Sequence, residues 1–438
     1  MSGYLTSITP DSFSGIIFAL EGISRSAVLL NGPTGCKFYH SSISDNQMIR
    51  QKEFDPLNFP EKWYFGQPRV PCTYLDNDDY IYGSMDKLEE ALEYIRDNFR
   101  YEILCLVNSP GAALIGDDLE GISKRIVTNK PVLTLETPGY SSDVCKGYET
   151  AALRLIEKLP LVRTLESAGA AAPRSPDRSV NILGLSLYHR NCTGDALELR
   201  RLMGLCGIEV NCTLFADSDL RSIMGIPKAG LNIVIHPEYA LETARLLKER
   251  FGTPYYICSG PPIGFSATEA FVDGICNELD ADNTRFIEDS ERARARAYPF
   301  ISRVNSLTGL PKGVSFAVEG TYSELYAYTS FLVRYFGMIP ECAAVLSPSC
   351  DAFRDELHDL YKEFGFEDAL ERDILDTSAE LVFASGNTIA GLKLRKHIFT
   401  GIETALPTLG YVDVIPKTHL GVQGALTIVE QVLNGMVY

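Results

Sequence analysis

The sequence of 438 residues has 11 cysteines but no Cys-x-x-Cys pair. That absence disfavours a self-contained ferredoxin-type cluster or zinc ribbon, whose ligands lie within a few positions of one another. A metal centre built from these thiols has to gather them from distant loops or from two chains. No predicted strand is followed by G-x-G-x-x-G, and no G-x-x-x-x-G-K-[ST] occurs. Neither NAD nor direct ATP binding is therefore expected. Uninterrupted apolar runs fall short of the roughly 20 residues a spanning helix needs. The amino terminus, MSGYLTSITPDSFSG, has no basic stretch ahead of an apolar core, so no secretory signal is expected. Positive charge is also short, with 40 Lys and Arg against 57 Asp and Glu for a net −17. This disfavours wrapping nucleic acid. Thiols without a signal peptide point to a reducing cytoplasm, with no membrane or nucleic-acid partner expected.

What is present reads as α/β. Val28 to Leu30 form a short apolar run of the kind buried parallel strands show, Asn31-Gly32-Pro33-Thr34-Gly35 breaks it, and Cys36 opens a predicted helix. Such a junction lies at the carboxyl end of a strand, where ligands collect in open α/β sheets. Cys36 stands where a metal cluster, a phosphate or a reactive thiolate could be held, or where a small residue simply packs under a turn. Residues 11–26 are predicted helical. The stretch MIRQKEFDPLNFPEKWYFGQPRV, with the only tryptophan, Trp63, reads as an excursion over a site or interface. Residues 85–98 place Leu88, Leu92 and Ile95 on one helical face. Ile103–Val107 is a strand in which Cys105 reads as a core residue. Pro131–Glu136 is another, with a helix from Gly147.

Residues 166–179, ESAGAAAPRSPDRS, form the clearest linker. They separate a first α/β module, 1–165, from a second, 180–308, and a third, 309–438, ending in a C-terminal helix. The second module has predicted strands at 180–187, 209–215, 231–236 and 255–258 and a long helix near 283–308. VSFAVEG and the helix SELYAYTSFLVRYFG repeat its opening strand–loop–helix pattern, suggesting two related modules.

Three segments together resemble the first domain of the nitrogenase component 1 type family, and the whole chain fits that likeness. They are the GPTGC turn at 32–36, the C-T-x-acidic stretch at Cys72 (PCTYLDNDDYIYG), and LVNSPGAALIGDD, ending in I-G-D-D at 115–118. The resemblance implies three Rossmann-like parallel-sheet modules around a central cleft. It implies an iron–sulfur cluster, [4Fe–4S] in type, held by Cys36 and Cys72 and shared between subunits. Relatives place a third cluster cysteine just ahead of the I-G-D-D segment. Here Pro110 stands there, so the chain offers two thiolates rather than three. A homodimer or a heterodimer with a component 1 homologue would complete the set, or a group such as Asp76 would. Asp117 and Asp118 are expected to cap and position a helix beside that region.

By the same resemblance, an ATP-hydrolysing iron-protein partner supplies electrons, and substrate is reduced in the cleft between modules. Relatives with the large molybdenum–iron cofactor ligate it with a cysteine and a histidine. Pro237 falls where that cysteine would be, so dinitrogen reduction is not expected, and His419 falls at or beside the histidine. Polar groups at predicted strand ends, namely His189, Arg190, Cys192, His236 and Cys258, could bind substrate or donate protons. His419, His189 and Cys258 are the candidate catalytic residues, each with a structural alternative. Cys145, Cys206, Cys212, Cys276, Cys342 and Cys350 show no ligand spacing. The leading expectation is a nitrogenase-like reductase subunit. The alternatives are a scaffold for metallocofactor assembly or a cluster-free binding or regulatory descendant.

Overall fold

The computed structural model describes residues 10–33, 70–136, 142–161, 178–406, 408 and 414–436. Cys36, the excursion around Trp63, Thr137–Tyr140 and most of the 166–179 linker lie outside them. The described residues form three parallel sheets of three, four and four strands. They group into two compact units. One gathers 10–162 with Leu214–Ile226; the other gathers 163–213 with 227–438. The second and third sequence modules thus belong to one unit, and a short piece of the second module returns to the first.

In the first unit β1 (Ser26–Asn31), β2 (Ile103–Asn108) and β3 (Val132–Glu136) pair in sequence order. β1 and β2 are buried along their whole length. A strand covered on both faces must be apolar throughout, which is why both read as continuous runs rather than alternations. Cys105 is fully buried in β2, where burial pushes its thiol well up, consistent with a packing role. Helix Met85–Asn98 buries Leu88, Leu92 and Ile95 and no other residue, as the spacing predicts. Helix Ser12–Glu21 begins at Asp11, whose carboxylate accepts from the Ser14 N–H at 2.9 Å. It packs very closely on helix Val144–Lys158. A Cβ on Gly147 would stand 1.8 Å from the Ser12 carbonyl oxygen, so only glycine fits. The returning piece is locked by Phe215, whose ring meets Tyr148 edge-on at 5.1 Å, while the Tyr148 hydroxyl donates to the Leu214 carbonyl.

In the second unit β4 (Ser179–Leu183), β5 (Glu209–Thr213), β6 (Leu231–Val234) and β7 (Tyr255–Ile257) form one sheet, ordered 5-4-6-7. The other sheet comprises β8 (Ser315–Gly320), β9 (Ile339–Val345), β10 (Leu381–Ser385) and β11 (Thr400–Ala405), ordered 11-10-8-9. The two topologies are the same: the first strand is central, the second pairs on one side, and the third and fourth extend the other. This supports the internal repeat read from the sequence. In each sheet the chain reverses its winding beside the first strand, at β4/β6 and at β8/β10. Such switch points open a crevice at the strands' carboxyl ends. Among the described residues no helix is long and apolar enough to cross a membrane.

Candidate functional site

In the first unit, the three family-like segments meet at the carboxyl ends of β1 and β2. Asn31, the last residue of β1, is 1% exposed. Its amide nitrogen donates to Asn108 Oδ1 at 2.9 Å and to Ser84 Oγ at 3.3 Å, and its Oδ1 accepts from the Thr73 hydroxyl at 2.8 Å. Thr73 Oγ1 in turn accepts from the Gly32 N–H at 3.0 Å. Ser84 donates both its N–H and its hydroxyl to Asp117 Oδ2. One buried polar network therefore ties the GP turn, the Cys72 segment and the I-G-D-D segment together.

The strand-like stretch through Cys72 pairs with β1. Leu30 N–H donates to the Pro71 carbonyl at 2.9 Å and Thr73 N–H to the Leu30 carbonyl at 3.0 Å. Cys72, 3% exposed, lines a cavity of about 370 Å³ with Leu29, Thr73, Lys87 and Tyr94. Gly32 has no room for a side chain, because a Cβ there would meet Ser109 Oγ at 2.6 Å. Asp118 caps helix Leu119–Ile126 through the Gly121 N–H at 2.9 Å, as expected. Asp117 holds Ser84, the N-cap residue of helix Met85–Asn98, and so positions the start of that helix. Asp76 is the N-cap of helix Asn77–Tyr82, bridged to Lys87 at 2.8 Å. Lys87 and the Asp78 and Asp79 amides hold its carboxyl below the ordinary range. Its oxygens are thus committed to a cap and an ion pair.

The cysteine partner, Cys36, lies outside the described residues. The fit of an iron–sulfur cluster rests here on Cys72, a buried thiol at a strand's carboxyl end beside a cavity, in a loop pinned to the GP turn. Soft thiolate ligands suit such a group.

In the second unit, a polar cluster forms where the carboxyl ends of β4, β6 and β8 meet. His189 follows β4, His236 follows β6, and Glu324 lies in the first turn of helix Tyr322–Phe336 after β8. The two imidazoles stack with centroids 4.3 Å apart and 29° between planes. His189 Nε2 stands 3.6 Å from Glu324 Oε1. The other carboxylate oxygen, Oε2, completes a capping box by accepting from the Thr321 N–H at 2.8 Å and its hydroxyl at 3.0 Å. Burial lowers the basicity of both rings; His189 further depresses His236, while Glu324 partly offsets the effect at His189. Both imidazoles are therefore neutral near pH 7.

Nearby carboxyls respond in the opposite sense. Glu238, whose oxygens accept from the Ser323 N–H and hydroxyl at 2.7 Å each, is pushed up to about 7 by burial, with Glu324 adding to it. Asp195 is likewise raised to about 7 by burial, although it accepts from the Thr418 hydroxyl at 2.7 Å and the His419 N–H at 3.1 Å. His419 Nδ1 and the Tyr328 hydroxyl share a 2.7 Å hydrogen bond. Glu319 in β8 is also raised by burial and accepts from the Ser385 hydroxyl.

His189 and His419 thus sit in one polar region, His189 against Glu324 and His419 against Tyr328 and Asp195. Cys258 ends β7's loop at 2% exposure, with its thiol pushed well up by burial. It is a protonated thiol at neutral pH, not a ready nucleophile. Arg190 ties β4's loop to β11 through Glu403 at 3.2 Å. Sequence reasoning missed Glu324, Glu238, Asp195 and Tyr328. The capping-box pair Thr321/Glu324 at a strand end was the one local signal available. It also missed that Cys206 and Cys276 lie close enough to shift each other's thiols, Cys206 up and Cys276 down.

Parallel α/β sheets with titratable groups gathered at strand carboxyl ends define an open α/β architecture of the kind that binds ligands at its switch points. A solved structure described as "Nitrogenase Cp1 at pH 6.5" shares the fold, with a TM-score of 0.77 at 16% identity over 98% of this chain and 92% of that one. The nitrogenase component 1 type oxidoreductase family matches residues 12–437, and the chain belongs to that family. It is similar to a light-independent protochlorophyllide reductase subunit of Prochlorococcus marinus (strain MIT 9313), 27% identical over 383 residues, covering 83% of this chain and 68% of the relative. The corresponding subunit from strain NATL1A is 25% identical over 377 residues, covering 83% and 69%.

Proposed function

We propose that the chain is a nitrogenase-like reductase subunit whose Cys36 and Cys72 supply two thiolates to a [4Fe–4S] cluster completed by a second subunit. An ATP-hydrolysing iron-protein partner is the electron donor in this reading. The observation that carries it is the network Asn31–Thr73–Asn108, which ties Gly32, the first residue of the GPTGC motif, to the Cys72 loop. Once bound, such a cluster would supply single electrons.

The remaining chemistry belongs to the second unit. A reduction consumes protons, and groups poised near neutrality deliver them best. Glu238 and Asp195, both raised to about 7, hold protons at physiological pH on Glu238 Oε and Asp195 Oδ. Tyr328 and His419 share a third proton across 2.7 Å. His189, neutral beside Glu324, can donate from Nε2 while Nδ1 accepts from the Ser186 N–H at 3.4 Å. The substrate would occupy the crevice these groups face, and the crevice's burial would exclude water.

Iron and acid-labile sulfide per chain, measured on anaerobically purified protein, test the reading. About two irons per chain, lost in Cys36→Ala and Cys72→Ala, are expected for one four-iron cluster on a two-fold axis. Iron-free protein that stays so after reconstitution would remove electron transfer and leave the fold alone. Iron present without turnover by any iron-protein partner would favour the assembly-scaffold alternative.

A further inference from the structure

We propose that His189, His236 and Glu324 form a binding site for one divalent transition-metal ion of the iron, cobalt or zinc kind. Two imidazoles and a carboxylate are a donor set such ions take readily. One ligand atom from each residue can be chosen so that all lie within 4.8 Å of one another. Around an ion with bonds of about 2.1 Å, neighbouring donors stand about 3.3 Å apart. The 3.6 Å between His189 Nε2 and Glu324 Oε1 is already close to that, and the widest pair needs to close by only about 1.5 Å.

Two further features point to a ligand. His189 Nε2 and His236 Nδ1 are buried with no hydrogen-bond partner among the described residues, and the two residues are 5% and 4% exposed. Buried polar atoms are nearly always satisfied, so two orphans in one cluster call for an occupant. The donors are also held in place. Glu324 Oε2 is anchored on Thr321, which leaves Oε1 turned to His189. The Tyr239 ring meets both imidazoles edge-on, at 5.1 and 6.0 Å.

Ligation through His189 Nε2 puts the proton on Nδ1, so with the ion bound His189 no longer donates from Nε2, and the 3.4 Å contact from the Ser186 N–H is given up as the ion enters. The site uses no cysteine and lies in a different compact unit from Cys72. It therefore stands whether or not an iron–sulfur cluster is present.

Cobalt(II) is the probe. Titrated anaerobically into chelator-washed full-length protein, it should give saturable visible d–d bands at about one equivalent per chain, without a thiolate charge-transfer band. Cys72→Ala should keep these bands; His236→Ala and His189→Ala should each lose them. A second readout needs no variant. Zinc should raise the wild-type melting temperature with a dependence on its concentration, as any ligand confined to the folded state does, and should speed exchange of the Ser186 amide. Absence of saturable binding, bands that survive both histidine substitutions, or bands lost in Cys72→Ala would each overturn the proposal. So would zinc without effect on melting.

Discussion

Asn31→Ala probes the buried side-chain network that joins the three family-like segments. The side chain is 1% exposed and takes part in three hydrogen bonds. Truncation leaves the Ser84 hydroxyl satisfied, because it donates to Asp117 at 2.6 Å. It strands Asn108 Oδ1 and the Thr73 hydroxyl proton, both buried. A buried group left without its partner costs about 1–3 kcal/mol, so the two together weaken this corner by about 2–6 kcal/mol. Global unfolding of a chain with two compact units is a poor gauge of one corner. Amide hydrogen exchange is local. The Gly32 N–H, bonded to Thr73 Oγ1 at 3.0 Å, and the Ser109 N–H, bonded to the Asn31 carbonyl at 2.9 Å, report on it directly. Their exchange should quicken by about 30-fold or more, the equivalent of the lower bound. A change under about threefold at both amides would show that the network does not hold the turn. Iron content in the same variant would then say nothing about placement of the cluster thiols.

Two predictions concern the second unit. Gly194→Ala drives a Cβ to within 1.8 Å of the Lys417 carbonyl oxygen. It should push the Thr418–Leu420 strap off Asp195 at a cost of about 1–3 kcal/mol. A thermal melt unchanged from wild type would refute that. For Asp195, the native carboxyl is raised from 3.8 to about 7, so the folded state binds more protons than the unfolded state between those values. Stability from this group is full below about 4 and falls as pH rises to about 7. Asp195→Asn should flatten that part of a stability–pH curve, leaving the similar slope from Glu238. Curves that coincide for variant and wild type would remove Asp195 as the source.

Features set by neighbours in sequence were legible, and features set by distant pairing were not. The apolar runs of β1 and β2 and the Leu88–Leu92–Ile95 face need only local periodicity, because burial on two faces or on one stripe leaves its mark within a few residues. The repeated strand–loop–helix pattern likewise foretold two sheets of one topology. The return of Leu214–Ile226 to the first unit left no such mark. Phe215 and the Leu214 carbonyl are matched to Tyr148 by shape and by one hydrogen bond, and no composition shift announces it. The polar cluster shows the same division. Strand ends singled out His189 and His236, since a switch-point crevice follows from topology alone. Glu324 looked like an ordinary first-turn acid of a helix. Its capping role is local, but its second oxygen faces a histidine from another sheet, and that depends on how two sheets pack. Asp195 and Thr418 are 223 positions apart. A carboxyl's proton affinity is set mainly by what covers it. Asp195 is therefore moved by cover that comes from far along the chain.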